Sequence, residues 1–285
     1  METNLAAKNA CPCGSGKLRP NCHGASPIDV RDPESGWSYL CFFGFPEFQS
    51  EFFDTYKQYF LETLPNMRSL GMEILRQAIP DAGVQADVHA LAVLAFATHF
   101  EVVLLAGNGF GFGAAKGARG ILESLFKIEY LMKHPQKAES YRAGGDQKMW
   151  KVFEEAEQQG FDFGRFQLDV KELRKTPKGV KSEWQIDQIA RDVGRSLDYT
   201  VYRVLSELAH SGPLGVSFRA NKVPGSDWPV VALGRSYEWC DLSLYLAHKF
   251  LIMIFEAVND LFALGYAERL AAAPANLERA WQRPQ

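Results

Sequence analysis

Four soft metal ligands lie within thirteen residues near the start of this 285-residue chain. The run Cys11-Pro-Cys13-Gly-Ser-Gly-Lys17-Leu-Arg-Pro-Asn-Cys22-His23 sets a Cys-x-Cys pair and an adjacent Cys-His pair on either side of an eight-residue loop. Three thiolates at roughly 2.3 Å and one imidazole nitrogen at roughly 2.0 Å complete the tetrahedral shell of a single Zn2+, leaving no position for a reactive water. The expected role of the metal is therefore structural. Gly14 and Gly16 let the loop turn tightly, and their amides, with that of Ser15, can donate to the thiolates. A segment this short has no core of its own, so metal binding and folding would be one event. The competing reading, a Gly-Ser-Gly-Lys phosphate loop, lacks the full Gly-x4-Gly-Lys-Ser/Thr pattern and a preceding strand.

The same run resembles the SEC-C motif, the small zinc module found at the C-terminus of the SecA translocase and as an appendage on many bacterial proteins. The likeness covers residues 11 to 24 and implies zinc ligation by Cys11, Cys13, Cys22 and His23, with Gly14, Ser15, Gly16, Lys17 and Gly24 also matching. Between the two ligand pairs the chain departs from the family, with Arg19 in place of an aromatic residue and Pro20 and Asn21 in place of lysines. The resemblance further implies a protein or nucleic-acid partner for the knuckle, although this copy keeps only Lys17 and Arg19 of the usual basic face.

Two later segments carry polar groups at helical spacing. Arg119 and Glu123 stand at i and i+4, within ion-pair reach, ahead of Pro135, which closes the helix. Tyr202, Ser206 and His210 recur every four residues, with Arg203 seven before His210. That periodicity predicts one shared helical side, with His210 in the last turn, where an imidazolium favours a helix C-terminus. The expectation is a hydrogen-bond network of Arg119, Glu123, Tyr202, Ser206 and His210 fixing two helices. Together the segments resemble a bacterial all-helical domain family of unknown function that pairs an Arg-x3-Glu helix with a Tyr-x3-Ser-x3-His helix, over roughly residues 85 to 265. Arg203-x6-His210 is also similar to the signature of HEPN ribonucleases, which implies metal-independent RNA cleavage of a toxin or phage-defence type. In that chemistry an arginine holds the scissile phosphate and a histidine moves the 2′-hydroxyl proton. Two departures stand against it: Val204 occupies a position that the family fills with a polar residue, and the separation is at the family's upper limit. HEPN sites normally assemble from two facing protomers, so a homodimer is the mark of this alternative.

Other constellations carry less. Ser206 and His210 lack the strained elbow and oxyanion hole of a hydrolase. The run Gly107-Asn-Gly-Phe-Gly-Phe-Gly113, ahead of Lys116 and Arg119, has the composition of an anion-binding nest, but it follows a helix, so a helix connection is the stronger reading. His89, His99 and His248 sit among Ala, Leu and Phe and read as satisfied core or boundary residues; Cys41 and Cys240 read as small buried apolar groups.

The elements that must position these groups are almost all helical. Hydrophobic residues make up 47% of the chain and charged ones 23%, which excludes wholesale disorder, and a formal charge of −3 gives no overall field toward nucleic acid or anionic lipid. Five cysteines, three of them clustered, are no disulfide framework, and the first ten residues have no apolar signal region; both point to the reducing cytoplasm. Ala90 to Ala106 approaches a membrane span in length but contains His99 and Glu101, so a buried core helix, with no membrane insertion, is expected. Periodicity predicts helices from residue 47 to Pro65 and over 66–79, 84–106, 115–133, 136–158, 183–210 and 237–264, with a shorter one near 165–175. A small hairpin or flap is expected within 214–235, where Leu214 to Phe218 and Pro229 to Leu233 flank a turn-rich stretch, and the last ten residues are expected to fray. The fold class is thus all-α, a multi-helix bundle-like domain with a small zinc knuckle and one short β-hairpin. Residues 1–24 form the knuckle, 25–46 an aromatic, Pro-rich connector that docks onto the body, and 47–285 the helical domain. The leading function is a zinc-binding adaptor or interaction protein that contacts a protein or nucleic acid through the knuckle and offers a second surface on the body.

Overall fold

The computed structural model describes residues 46–160, 184–210, 216–217, 220–222, 229–231 and 237–281. The knuckle with Cys11, Cys13, Cys22 and His23, nearly all of the connector with Cys41, and the short helix expected near 165–175 lie outside the described residues.

Helix α1 (Pro46–Thr55) carries Phe48 and Phe52 into the core, and Tyr56, just after it, continues the aromatic stripe. A π-helical turn (Tyr59–Thr63) then leads without a break into α2 (Leu64–Gln77). Pro65 is expected to end or kink the first helix; it lies in the first turn of α2, directly after the π turn, so the helical path is modified there rather than ended. Helix α3 (Val84–Gly107) follows, then α4 (Gly111–Lys133), a 3-10 turn at Pro135–Lys137, and α5 (Ala138–Gln158).

The expected single helix over 183–210 is two, α6 (Ile186–Asp192) and α7 (Ser196–Ala209). Gly194 adopts φ +78°, and a left-handed residue ends a right-handed helix. Strands β1 (Ala220–Lys222) and β2 (Pro229–Val231) pair antiparallel, Ala220 opposite Val231 and Lys222 opposite Pro229. The second arm falls where it was expected, whereas the first lies just beyond Leu214 to Phe218, and Val216–Ser217 is helical. Helix α8 (Tyr237–Phe262) and α9 (Ala267–Trp281) complete the body.

Of the last ten residues, expected to fray, 276–281 are the final turns of α9, and 282–285 lie outside the described residues. Leu270, Leu277 and Ala280 are buried, and Trp281 stacks on Tyr56 at 4.6 Å and donates its indole N–H to Asp241 Oδ1 at 2.6 Å. Tertiary packing thus holds a helix with Pro274 inside it, which local propensity disfavours.

Helix α4 is the hub, packed between α3 and α8 with α7 across it. The glycine run permits this. Gly109 takes φ +85° and closes α3 with paired bonds, Phe110 N–H to Leu105 O at 2.9 Å and Gly109 N–H to Ala106 O at 3.1 Å. A Cβ on Gly117 would lie 2.5 Å from Val102 Cγ2, so this glycine lets α3 and α4 approach closely. The glycines serve a tight turn and a helix crossing, as a helix connection requires, and α4 begins at Gly111 rather than at 115.

Helix α3, expected as a buried core helix, buries one face and leaves another exposed. Val88, Leu91, Ala92, Ala95, Phe96, His99, Val102 and Ala106 are buried, but Val93 (42%), Leu94 (58%), Phe100 (38%) and Leu104 (66%) remain exposed. Among the described residues it is one helix long and apolar enough to cross a membrane, with mean hydropathy 1.9, and one of its faces is spent on the core of this body.

Candidate functional site

The groups singled out by helical spacing meet where α7 crosses α4. Arg119 of α4 donates from Nε to Ser206 Oγ at 2.8 Å and from Nη2 to the Tyr202 hydroxyl at 2.6 Å. The Tyr202 hydroxyl in turn donates to Glu123 Oε2 at 3.2 Å, and Ser206 donates back to the Tyr202 carbonyl at 2.8 Å. Lys127, one turn further along α4, donates to Glu123 Oε1 at 2.7 Å. The Arg119 guanidinium also lies 4.8 Å from the centre of the Tyr202 ring.

The electrostatics follow from partial burial. Burial alone would raise the Glu123 carboxyl, but the hydrogen bond and charge of Lys127, the charge of Arg119 and the Tyr202 hydroxyl together hold it below its ordinary range. Burial, then the charge of Glu123, raises the Tyr202 phenol. Each polar group is thus met by another, and the cluster ties two helices together as a clamp. Lys127 was missed in the sequence, although its i+4 spacing from Glu123 is a legible signal.

His210 does not join the clamp, which corrects its placement in the last turn of a helix. It follows α7 with extended backbone, φ −97° and ψ 154°, and its side chain is exposed. The four-residue spacing assumed a helix through residue 210, and α7 ends at Ala209. Arg203 is likewise exposed, on a different side of α7 from Tyr202. Among the described residues neither bonds its side chain to the clamp.

Further polar links flank the clamp. Arg195, in the turn between α6 and α7, forks onto Glu129 at 2.5 and 3.0 Å and reaches Asp198 at 3.5 Å. His134 Nε2 lies 2.6 Å from Asp192 Oδ2, which ties the end of α4 to the end of α6.

At the other end of the body, α9 and the run from Gln58 through α2 face each other across a groove of about 430 Å3. Gln58, Glu62 and Asn66 line one wall, Arg269, Asn276 and Arg279 the other, and His248 of α8 the floor. Arg269 is held by Glu73, with Nη1 donating at 2.6 Å. The groove joins segments some two hundred residues apart, so no local spacing announces it.

Behind the groove floor lies a buried polar cluster. The Tyr59 hydroxyl and His248 Nδ1 are hydrogen-bonded at 3.2 Å, and the His248 and His99 rings meet edge to face with centroids 5.4 Å apart. Burial pushes His248 down to about 3; burial, then the charges of His248 and Arg68, push His99 well below the usual imidazole range. Of the three histidines expected to be satisfied, His89 is, with its Nε2–H donating to the Leu75 carbonyl at 3.1 Å, and His248 has Tyr59. His99 is not: it is fully buried, and neither ring nitrogen has a hydrogen-bond partner among the described residues. Its nearest ring is that of His248, packed edge to face against it. Cys240 is the buried apolar group it was expected to be, its thiol pushed up to about 12 by burial and Asp241.

Fold and clamp define an all-helical body braced across α4 and α7. Residues 88–224 match a family of unknown function, DUF5677. The match takes in both halves of the clamp, and it leaves α1, α2, α8, α9 and the Cys11–His23 run outside it. No curated protein and no solved structure matches the chain.

Proposed function

We propose that the chain is a zinc-binding adaptor of the cytoplasm, its SEC-C-like knuckle contacting a protein or nucleic-acid partner and its helical body offering a second surface. The observation that supports this reading is the closure of the clamp. Arg119, Glu123, Lys127, Tyr202 and Ser206 are hydrogen-bonded to one another, which is what a brace between helices needs. Arg203 and His210, the pair that ribonuclease chemistry would need, stand apart on exposed positions. The second surface is the groove between α2 and α9, whose open polar walls suit side chains of a partner. Cys11, Cys13, Cys22 and His23 would hold the zinc, and a closed set of this kind orders its peptide without supplying a reactive water.

The test uses the purified full chain. One zinc per chain by elemental analysis is expected, together with no cleavage of mixed RNA by either the intact protein or His210→Ala. Cleavage that His210→Ala abolishes would overturn the adaptor reading in favour of the HEPN-like ribonuclease. A chain without stoichiometric metal would remove the knuckle from it. Affinity capture from cells beside a Cys11→Ser/Cys13→Ser variant and an Arg279→Glu variant then separates partners of the knuckle from partners of the groove.

A further inference from the structure

The exposed face of α3 is an apolar stripe, across which the Arg68 guanidinium lies 4.2 Å from the centre of the Phe100 ring. Ala90, Val93, Ala97, Phe100 and Leu104 follow one another at steps of three and four residues, all exposed, with Leu94 beside them. Glu101 is the one charged residue between Ala90 and Leu104 if His99, turned inward, is neutral. Residues at this spacing form one seam along a helix, and over fourteen residues the seam is about 21 Å long. Water gains nothing from such a face, and an exposed seam of this kind marks a docking surface.

The course of the chain says what covers it. Gln49, in the first turn of α1, donates its side-chain amide to Asn108 Oδ1, just past the C-terminal end of α3. The start of α1 is therefore held about one helical turn beyond Leu104. The segment preceding Pro46 in sequence is Trp37-Ser-Tyr-Leu-Cys-Phe-Phe-Gly-Phe45, in which Trp37, Tyr39, Cys41, Phe43 and Phe45 alternate with the residues between them. In an extended course these five share one side, and nine residues span up to about 30 Å, enough for the whole seam. The tether also supplies an effective concentration on the order of millimolar, so modest contacts suffice. A second copy is the poorer occupant. The exposed apolar side chains of the stripe amount to on the order of 400 Å2, half of the roughly 800 Å2 that each partner of a stable dimer buries.

We propose that residues 37–45 of this chain seat their alternating aromatic side chains on the apolar stripe of α3 formed by Ala90, Val93, Leu94, Ala97, Phe100 and Leu104. The inference stands apart from the adaptor reading, since it concerns how the connector joins the body and holds whether or not the knuckle binds zinc.

The experiment places a photo-crosslinking phenylalanine analogue at position 104 of the full chain, an exposed site that leaves the core untouched, and maps the products by mass spectrometry at low protein concentration. Intramolecular crosslinks to residues 37–45 are expected. Crosslinks confined to other segments, or dimers linked through position 104, would overturn the proposal, the latter in favour of a second copy. As a second measurement, a Phe43→Ser/Phe45→Ser variant is expected to bind a hydrophobic dye at least twofold more strongly than the intact protein, and Leu104→Glu is expected to cancel the increase. Unchanged dye binding would overturn it as well. So would flotation of the intact protein with phosphatidylcholine–phosphatidylglycerol vesicles, lost in Leu104→Glu, because the stripe would then be a lipid-facing surface.

Discussion

Lowering the pH should unfold this protein through the two histidines behind the groove. Free imidazole titrates near 6.5, whereas burial pushes His248 down to about 3 and, with the charges of His248 and Arg68, holds His99 well below its usual range. Both are therefore neutral in the folded chain across the range in which the unfolded chain takes up a proton on each. The unfolded state binds more protons below pH 6.5, so stability is full above that value and falls as the pH descends toward 3. Each group contributes a slope of about 1.4 kcal/mol per pH unit, and the pair nearly 3 kcal/mol. By pH 5 the loss is about 4 kcal/mol, a large share of the roughly 5–15 kcal/mol that stabilises a domain. Glu123, whose carboxyl is held low, adds to the loss only below its unfolded range near pH 4.5. Tyr59 and Arg68 face the pair from the π turn and α2; Tyr59 is raised by burial, so neither changes charge in this window. The assay is urea unfolding at half-unit steps from pH 7.5 to 5. His99→Leu supplies the control: it removes one titrating group and two nitrogens that have no partner among the described residues, so it should fold at pH 7.5 and show half the slope. A flat stability between pH 6.5 and 5, or a slope in His99→Leu equal to that of the intact protein, would refute the reasoning.

Two further perturbations follow from the clamp and the helix crossing. Tyr202→Phe removes the hydroxyl that accepts from Arg119 at 2.6 Å and donates to Glu123 at 3.2 Å, and should lower the unfolding free energy by about 1–2 kcal/mol, read as a lower urea midpoint with an unchanged slope. An intact midpoint would show that these bonds do not brace α4 against α7. Gly117→Ala puts a methyl 2.5 Å from Val102 Cγ2 and should cost about 1–3 kcal/mol despite the better helix propensity of alanine, with Gly120→Ala, which has open space, as the neutral or stabilising comparison. Calorimetry of the two variants side by side checks this; equal melting temperatures would mean that the crossing has room to spare.

Local chemistry was legible wherever neighbours in sequence are neighbours in space. The Arg119–Glu123 pair lies within a single turn, and the Tyr202–Ser206 spacing holds because α7 runs through both, so four of the five expected members of the network meet. His210 fell outside because helical spacing says nothing about where a helix stops, and α7 stops one residue earlier. Gly194 carried the signal that divided 183–210, but a lone glycine inside a periodic pattern is ambiguous until its φ is known. The groove floor was illegible for a different reason: Tyr59 and His248 are 189 residues apart, and only the packing of α8 against the π turn joins them.

By itself the sequence determined the helical class, the order and approximate extent of most helices and the paired halves of the clamp. Each of these depends on intervals of two to eight residues, over which covalent geometry leaves few alternatives. The tertiary structure alone decided which face of α3 is buried, that an alanine-rich tail with a proline becomes α9, and that two histidines share a dry interior. An all-apolar helix has no preferred side, and a weak helix has no stability of its own, until other elements cover them; burial is a property of the assembled core.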